Sequence, residues 1–230
     1  MILGMLSDAH GNREAFELGV AILHAEGAQA IYFLGDAVGY LPGDTVVDAI
    51  RQAGVIPVRG NHDAMVLAGR IDPERDRIFR LGDTARSMSA ANRAFMETWP
   101  DHRDLETEAG SLLLVHGSPR QPLDGYIYPD TDLAPFGDVG KRAVFMGQTH
   151  RPFVRRLGDT IFVNVGSCGL PRDCGHLGAA CLFDEAHGTA RIVRFDITIA
   201  TKAALKRCGP VAPEVLAMFD RRSLDGCPGG

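Results

Sequence analysis

The sequence predicts an α/β protein, and three features of its 230 residues carry that prediction. Residues 2–58 alternate short apolar runs with helical patterns in the order β-α-β-α-β, which favours a parallel sheet with right-handed crossovers. Beyond residue 100, consecutive short strand patterns without long helices between them indicate a second, largely antiparallel sheet. A charged helical stretch lies between these two regions. We therefore expect two sheets within one chain.

Size and composition fit a single α/β domain with a substantial core. The net charge of -5 argues against extended nucleic acid as a partner, because such a surface needs a basic surplus. The five cysteines contain no C-x-x-C pair, which favours reduced thiols. No apolar run approaches the roughly 20 residues that cross a bilayer, and the apolar start is too short for a signal peptide. We expect a cytoplasmic protein without membrane association. The sequence does not decide whether the protein forms a homo-oligomer.

The elements of the first half follow from apolar periodicity and from the residues that stop it. Ile2–Leu6 is a short apolar run typical of a strand covered on both faces. Residues 13–26 place apolar side chains at helical spacing, with Asn12 as the N-cap and Gly27 as the stop. The same reasoning predicts a strand at 30–34, a helix at 44–53 and a strand at 55–58.

The second half begins with the charged helical stretch 64–100, which we interpret as an inserted helical pair shading the site. Strands are predicted at 111–115, 143–146, 152–157, 160–163, 179–183 and 190–197. The tail 201–222 has a helical pattern. We divide the chain into a domain at 1–200 carrying the insert, a C-terminal helical extension at 201–225 and a disordered tail at 226–230.

Metal-ligating residue types follow the predicted strands at the points where they end. They are Asp8, His10, Asp36, Asn61, His116 and His150. Because ligands of an open parallel sheet gather beyond the carboxyl ends of its strands, we expect these side chains to meet. A mixture of carboxylate, imidazole and amide suits Mn²⁺, Fe²⁺ or Zn²⁺. One carboxylate bridging two ions holds them about 3.5–4 Å apart, and Asp36, alone in its turn, is the natural bridge.

The motifs differ in how much information they carry. The Gly-Asp pair recurs four times elsewhere, whereas Gly60-Asn61-His62-Asp63 directly after a strand is rare. Taken singly, each histidine could be a structural side chain, each aspartate a turn former and Asn61 a left-handed turn residue. Asn12 fits a helix cap and a substrate contact equally well.

The ordered set D-x-H-G-N, G-D-x-V-G-Y, G-N-H-D, H-G-S-P-R and G-x-T-H resembles the calcineurin-like metallophosphoesterases. It is most similar to their small phosphodiesterase-type bacterial and archaeal members, and the likeness extends to about residue 197. The resemblance implies a two-sheet β-sandwich flanked by helices, with a dinuclear metal site between the sheets. It assigns one ion to Asp8, His10, Asp36 and His150, and the other to Asp36, Asn61, His116 and residue 148.

Two positions depart from the family pattern. The family usually has G-H-x-H where this chain has Gly147-Gln148-Thr149-His150. An amide oxygen is a weaker ligand than imidazole, so we expect the second ion to bind more weakly or to be a harder ion such as Mn²⁺. In addition, Gly39 stands where the protein phosphatases of the family have an aspartate that orients the G-N-H histidine. This departure favours the phosphodiesterase branch.

We therefore predict a phosphoric ester hydrolase that cleaves phosphodiesters of small substrates through a hydroxide activated by two divalent ions. Mn²⁺ is the expected cofactor, with Fe²⁺, Zn²⁺ or Ni²⁺ as alternatives. His62 would contact the phosphoryl oxygens or protonate the leaving oxygen, and Asn12 would contact the substrate. Two alternative functions remain open. One is hydrolysis of phosphomonoesters or dinucleoside polyphosphates, and the other is a binding scaffold whose second metal site is weakened by Gln148.

Overall fold

Two five-stranded sheets and eight α-helices make up the computed structural model, which describes residues 1–108 and 110–222. The strands are β1 (Ile2–Leu6), β2 (Ala30–Phe33), β3 (Ile56–Pro57), β4 (His102–Thr107), β5 (Gly110–Val115), β6 (Ala143–Met146), β7 (Phe153–Leu157), β8 (Thr160–Asn164), β9 (Leu177–Asp184) and β10 (Thr189–Asp196). The helices are α1 (Arg13–Ala25), α2 (Thr45–Gln52), α3 (Asn61–Ala68), α4 (Pro73–Phe79), α5 (Leu81–Ser87), α6 (Ala90–Glu97), α7 (Thr198–Cys208) and α8 (Pro213–Phe219).

The first sheet has the order β10-β9-β1-β2-β3. Strands β1, β2 and β3 pair in parallel, as the β-α-β-α-β pattern predicts, so their carboxyl ends lie at one edge. The prediction for the last two strands was wrong. Both β9 and β10 join this first sheet, where β9 runs antiparallel to β1. Their apolar pattern fits either sheet, and only the pairing with β1 decides between them.

The second sheet has the order β4-β5-β6-β8-β7 and is mixed rather than largely antiparallel. Its three central strands, β5, β6 and β8, pair in parallel, and only the outer pairs β4–β5 and β7–β8 are antiparallel. Strand β4 was absent from our prediction. Its burial alternates between exposed and half-buried residues, as expected for an edge strand, so the sequence lacks a buried apolar run there.

The sheets pack face to face through a shared apolar core, which confirms the two-sheet sandwich. Leu3 and Met5 of β1 belong to one buried cluster with Leu112 and Leu114 of β5. Phe145 of β6 contacts Phe183 of β9 edge-on, with ring centroids 5.2 Å apart. The outer face of the first sheet is covered by α1 and α2, which belong to a separate buried cluster. One layer of side chains thus joins the two sheets, and a second joins the helices to the outer face of the first sheet.

The helical insert differs from the predicted pair, whereas the C-terminal tail is helical as its pattern predicts. Four helices, α3 to α6, lie within residues 61–97, and the first of them begins at Asn61, after the three residues 58–60 that follow β3. Helix α7 packs against α1, and Thr201 accepts a hydrogen bond from the Asn12 side chain at 3.2 Å. The C-terminal helices are therefore part of the main fold, whereas the predicted tail 226–230 lies outside the described residues.

Two further observations concern the chain as a whole. In the part of the chain that the structure describes, we find no helix with the length and apolar character needed to cross a membrane. The expectation of reduced thiols holds for Cys168, Cys181 and Cys208, which are free, but not for Cys174, which is disulfide-bonded.

Candidate metal centre

The predicted ligands meet where the strand ends of the two sheets come together. Asp8 and His10 follow β1, Asp36 follows β2 and Asn61 follows β3, while His116 and His150 come after β5 and β6 of the other sheet. All six side chains are buried. Three overlapping groups form, in each of which the ligand atoms lie within 4.8 Å of one another: Asp8, His10 and His150; His10, Asp36 and His62; Asp8, Asp36 and His116.

The backbone at this edge adopts conformations that L-residues rarely occupy. Seven non-glycine residues of the described chain have positive φ, and five of them are predicted ligands: Asp8, His10, Asp36, Gln148 and His150. Left-handed backbone at non-glycine residues costs about 1–3 kcal/mol each and concentrates at functional sites. Close loop packing adds to this constraint, because a Cβ on Gly60 would overlap Asp36. The backbone at these residues is therefore strained, and this strained conformation brings their side chains together.

We define the first half-site as Asp8, His10 and His150. The Nε2 atoms of the two histidines lie 3.1 Å apart, and His150 Nε2 is 3.2 Å from Asp8 Oδ1. That carboxylate oxygen is buried and has no hydrogen-bond partner among the described residues. Donors at about 2.0–2.2 Å from one ion are roughly 3 Å apart when adjacent, so these spacings suit a shared cation.

The histidine tautomers in the first half-site also point to a cation. His10 Nδ1 donates to Val38 O at 3.1 Å, and His150 Nδ1 donates to Leu170 O. These bonds leave the two Nε2 atoms without protons and 3.1 Å apart. Burial lowers the pKa of both imidazoles, which favours their neutral forms. A cation bound between them would relieve the repulsion of the two lone pairs.

We define the second half-site as Asn61, His116 and Gln148. His116 Nδ1 donates to Leu34 O at 2.8 Å, and its Nε2 lies 3.1 Å from Asn61 Oδ1. Burial lowers the pKa of His116, but the nearby Asp36 carboxylate outweighs burial and raises that pKa to about 10. The protonated form of His116 is therefore favoured, and a proton would compete with an ion for its Nε2.

Asp36 lies between the two half-sites, as its predicted bridging role requires. Its Oδ2 is 3.7 Å from His10 Nε2 and 3.4 Å from His116 Nε2. Its Oδ1 accepts a hydrogen bond from the backbone N–H of His62 at 2.9 Å. Burial raises the pKa of Asp36, but His116 and the neighbouring histidines reverse this and hold the pKa well below its usual range. The carboxylate is therefore ionised and faces one imidazole of each half-site.

Gln148 is buried beside this cluster, and its backbone and its side chain have different hydrogen-bond partners. Its backbone N–H donates to Asp8 Oδ2 at 3.1 Å, and its side-chain Nε2 donates to Leu123 O at 3.1 Å. The side-chain oxygen is the atom left to ligate an ion. The loop containing Leu123 thus orients the residue that replaces the usual family histidine.

His62 lies against the first half-site within a set of aromatic rings. Its ring stacks on Tyr40 at 5.3 Å, contacts Phe79 at 4.7 Å and meets His10 edge-on at 5.0 Å. A Cβ on Gly39 would overlap His62 Nδ1, so an aspartate cannot occupy position 39 without displacing the ring. That Nδ1 is buried and has no hydrogen-bond partner in the described chain. Aromatic packing, rather than a hydrogen bond from ring Nδ1 to a carboxylate, therefore orients this imidazole.

Asn12 does not join the group. Its Oδ1 accepts from the Ala15 N–H at 3.2 Å, and its Nδ2 donates to Gly169 O and to Thr201 Oγ1. The side chain is fully buried, and each of its polar atoms is bonded within the protein. The structure gives it the role of helix N-cap and leaves it no group to offer a substrate.

Asp63 is an important residue to which our sequence reasoning gave no role. Its carboxylate accepts hydrogen bonds from the N–H groups of Asp36, Ala37 and Gly60, at 2.9–3.0 Å. Burial and the nearby Asp36 raise the pKa of Asp63 to about 7. This side chain holds together the loops that carry Asp36 and Asn61. Its place as the last residue of G-N-H-D was the available signal.

Arg172 is a second residue that the sequence did not single out, since on charge alone Arg59, Arg151 and Arg172 are each expected at the surface. Arg59 is paired with Asp101 at 2.9 Å, and Arg151 is exposed. Arg172 is half-buried, and its Nη2 donates to the Tyr40 hydroxyl at 2.9 Å. Within residues 1–108 and 110–222 it has no ion-pair partner, and its Nε is buried without a hydrogen bond. A guanidinium thus lies beside the aromatic set without a neutralising carboxylate.

Comparison with known proteins agrees with this geometry. The profile of the calcineurin-like phosphoesterase superfamily domain matches residues 1–186. An uncharacterized protein of Methanocaldococcus jannaschii is 27% identical over 222 residues, covering 86% of this chain and 88% of that protein. A probable metallophosphoesterase of Methanothermobacter thermautotrophicus is 27% identical over 177 residues, covering 75% of this chain and 80% of its own length.

A solved structure agrees over almost the whole chain. The crystal structure of a metallophosphoesterase from Sphaerobacter thermophilus superposes with a TM-score of 0.78 and 25% identity, covering 96% of this chain and 98% of that one. Because the matched profile spans well over half of the 230 residues, the chain belongs to the calcineurin-like phosphoesterase superfamily, whose phosphoester hydrolysis depends on divalent metal ions.

Proposed function

We propose that this protein is a phosphodiesterase that uses two divalent ions, with Mn²⁺ as the expected metal. The observation that carries the proposal is the first half-site. Two imidazoles there bring their Nε2 atoms within 3.1 Å of each other, next to an Asp8 carboxylate oxygen that has no hydrogen-bond partner among residues 1–108 and 110–222. Such an arrangement is unfavourable in a dry interior unless a cation occupies it.

The residues present fit a dinuclear site. Asp8, His10 and His150 would hold one ion, Asn61, His116 and Gln148 the other, and Asp36 both. When bound, the ions activate the water nucleophile and neutralise charge on the phosphoryl group. All three ligand imidazoles donate their Nδ1–H to backbone carbonyls, which fixes each ring and directs its Nε2 into the site.

The other side chains bind and orient the substrate. His62 contacts a phosphoryl oxygen or donates a proton to the leaving oxygen, a step typically worth about 10²–10⁴ in rate. Arg172, held by the Tyr40 hydroxyl and lacking a carboxylate partner in the described chain, binds a further phosphoryl oxygen. Gly39 supports the phosphodiesterase branch, because the aspartate of the protein phosphatases would collide with His62 at this position.

A metal-dependent assay tests the proposal. The purified protein is stripped with a chelator, reloaded with Mn²⁺ and assayed against bis(p-nitrophenyl) phosphate and p-nitrophenyl phosphate. We expect cleavage of the diester that is lost on stripping and restored by the metal. Cleavage of the monoester alone would contradict diester specificity. No turnover with Mn²⁺, Fe²⁺, Zn²⁺ or Ni²⁺ would instead favour a binding scaffold.

A further inference from the structure

A cavity of about 270 Å³ lies between the helical insert and the loop that follows β5, and Asn61 of the second half-site forms part of its wall. We propose that this cavity binds one uncharged aromatic ester group of the substrate. The inference rests on the proposed phosphodiesterase function and specifies the class of diester: a single phosphate carrying at least one aryl or nucleoside-like group.

The position of the cavity connects it to the reacting phosphate. Asn61 is shared between the cavity and the second half-site, where its Oδ1 lies 3.1 Å from His116 Nε2. Phe79 forms another part of the wall and contacts the His62 ring at 4.7 Å. A substrate whose phosphate lies between the half-sites and His62 would therefore extend one ester group directly into this space.

The wall of the cavity favours an aromatic group. Met65, Ile71, Phe79 and Leu123 supply its apolar surface, and all four are only partly buried by the protein itself. An aromatic ring provides a stacking or edge contact to Phe79, and methionine sulfur also packs well on aromatic groups. Pockets for whole drug-sized ligands are roughly 300–1,000 Å³, so this volume suits one ester group rather than an entire dinucleotide.

The charge of the wall argues against a second phosphate. Two arginines line the cavity, but three carboxylates accompany them: Arg70 and Arg75 with Asp72, Asp76 and Asp124. Arg75 lies 3.6 Å from Asp72, so part of its charge is already compensated. A polyphosphate chain would enter a region without surplus positive charge, whereas an uncharged group meets no electrostatic penalty. The cavity therefore selects against dinucleoside polyphosphates.

Binding of substrate analogues tests the inference without requiring turnover. Isothermal titration calorimetry of the Mn²⁺-loaded protein compares diphenyl phosphate with dimethyl phosphate, which have the same charge and differ in the ester group. We expect diphenyl phosphate to bind at least tenfold more tightly. Ile71→Ser should reduce diphenyl phosphate affinity about tenfold and leave dimethyl phosphate affinity unchanged. Ile71 suits this change because it lines the cavity, its side chain is half-buried and it contacts none of the proposed metal ligands, and serine adds no charge that would repel both diesters.

Val154→Ser is the matched control, since Val154 is 43% exposed on β7, an edge strand that does not contribute to the cavity. It should leave both affinities unchanged. If Ile71→Ser does not fold, Ile71→Ala should still weaken diphenyl phosphate binding about threefold. Equal wild-type affinities for the two analogues, or no selective loss in the Ile71 variants, would overturn the inference. Selective binding of diphenyl phosphate without any diester hydrolysis would contradict the proposed function while leaving the cavity assignment standing.

Discussion

The two half-sites share Asp36 but differ in how they balance charge. The first half-site has its own carboxylate, Asp8, together with two neutral imidazoles whose lone pairs converge. The second half-site offers one imidazole and two amides, and the only carboxylate that its imidazole approaches so closely is the shared Asp36 at 3.4 Å. The first arrangement is unfavourable without a cation, whereas the second is satisfied by a proton on His116.

Because of this difference, we expect the two half-sites to differ in metal affinity although neighbouring loops carry them. Neutral amide oxygens are weaker ligands than imidazole, and a proton must leave His116 before an ion can bind there. We therefore expect the first half-site to fill first.

Asp36→Asn should leave both half-sites without metal and so remove the difference in metal binding between them. The shared carboxylate carries much of the negative charge that attracts two cations, and its loss leaves Asp8 as the only anionic ligand. We expect turnover to fall at least about 1,000-fold, corresponding to several kcal/mol of transition-state stabilisation. Elemental analysis gives the metal content. Asp101→Asn, a surface change at the Arg59 ion pair, is the control, and full metal content in Asp36→Asn would rule out the bridge.

His62→Ala should separate catalysis from metal binding, because His62 contacts the rings around the first half-site without being needed as a ligand. We expect kcat to fall by about 10²–10⁴ while both ions remain bound. His24→Ala, at an exposed position on α1, provides the matched comparison. Unchanged turnover in His62→Ala would remove this residue from the mechanism.

Gln148→His should reduce the difference between the half-sites by restoring the usual imidazole. Changes even to outer-shell partners alter metal affinity roughly 10–100-fold, so we expect at least a tenfold gain at the second half-site and none at the first. Stepwise Mn²⁺ titration monitored by calorimetry resolves the two events. Gln52→His on the exposed face of α2 should change neither. An unaltered second step would show that residue 148 does not ligate the ion.

The two half-sites should also respond differently to pH. The pKa of His116 is raised to about 10, so its proton is present at pH 8 and must be released on metal binding. Affinity at the second half-site should therefore rise as pH increases from 7 towards 9. Burial lowers the pKa values of His10 and His150, so the first half-site needs no such release and its affinity should stay level. Calorimetry in buffers of different ionisation enthalpy should give about one proton released at the second step and none at the first.

Local sequence patterns predicted those parts of the structure that depend on local physics. The bounds of β1 are confirmed at Ile2–Leu6, because a buried parallel strand must be a continuous apolar run ended by polar residues. The convergence of Asp8, Asp36 and Asn61 follows from the rule that parallel strands end at one edge.

The features that the sequence did not reveal depend on contacts between distant residues. Nothing local determines that β9 pairs with β1, or that Asp63 holds the Asp36 loop through backbone amides. The left-handed backbone at five predicted ligands is likewise imposed by the surrounding fold, since these residue types favour other conformations. Arg172 differs from Arg59 in its partner, because the Arg172 guanidinium donates to the Tyr40 hydroxyl whereas the Arg59 guanidinium pairs with a carboxylate.

Anomalous scattering at the manganese edge, from crystals soaked first in limiting and then in excess Mn²⁺, tests the central claim most directly. We expect one peak beside Asp8, His10 and His150 at limiting metal. A second peak should appear beside Asn61 and His116 in excess, about 3.5–4 Å from the first, with Asp36 touching both. A first peak at the second half-site would contradict the proposed order, and peaks remote from Asp36 would contradict the site itself.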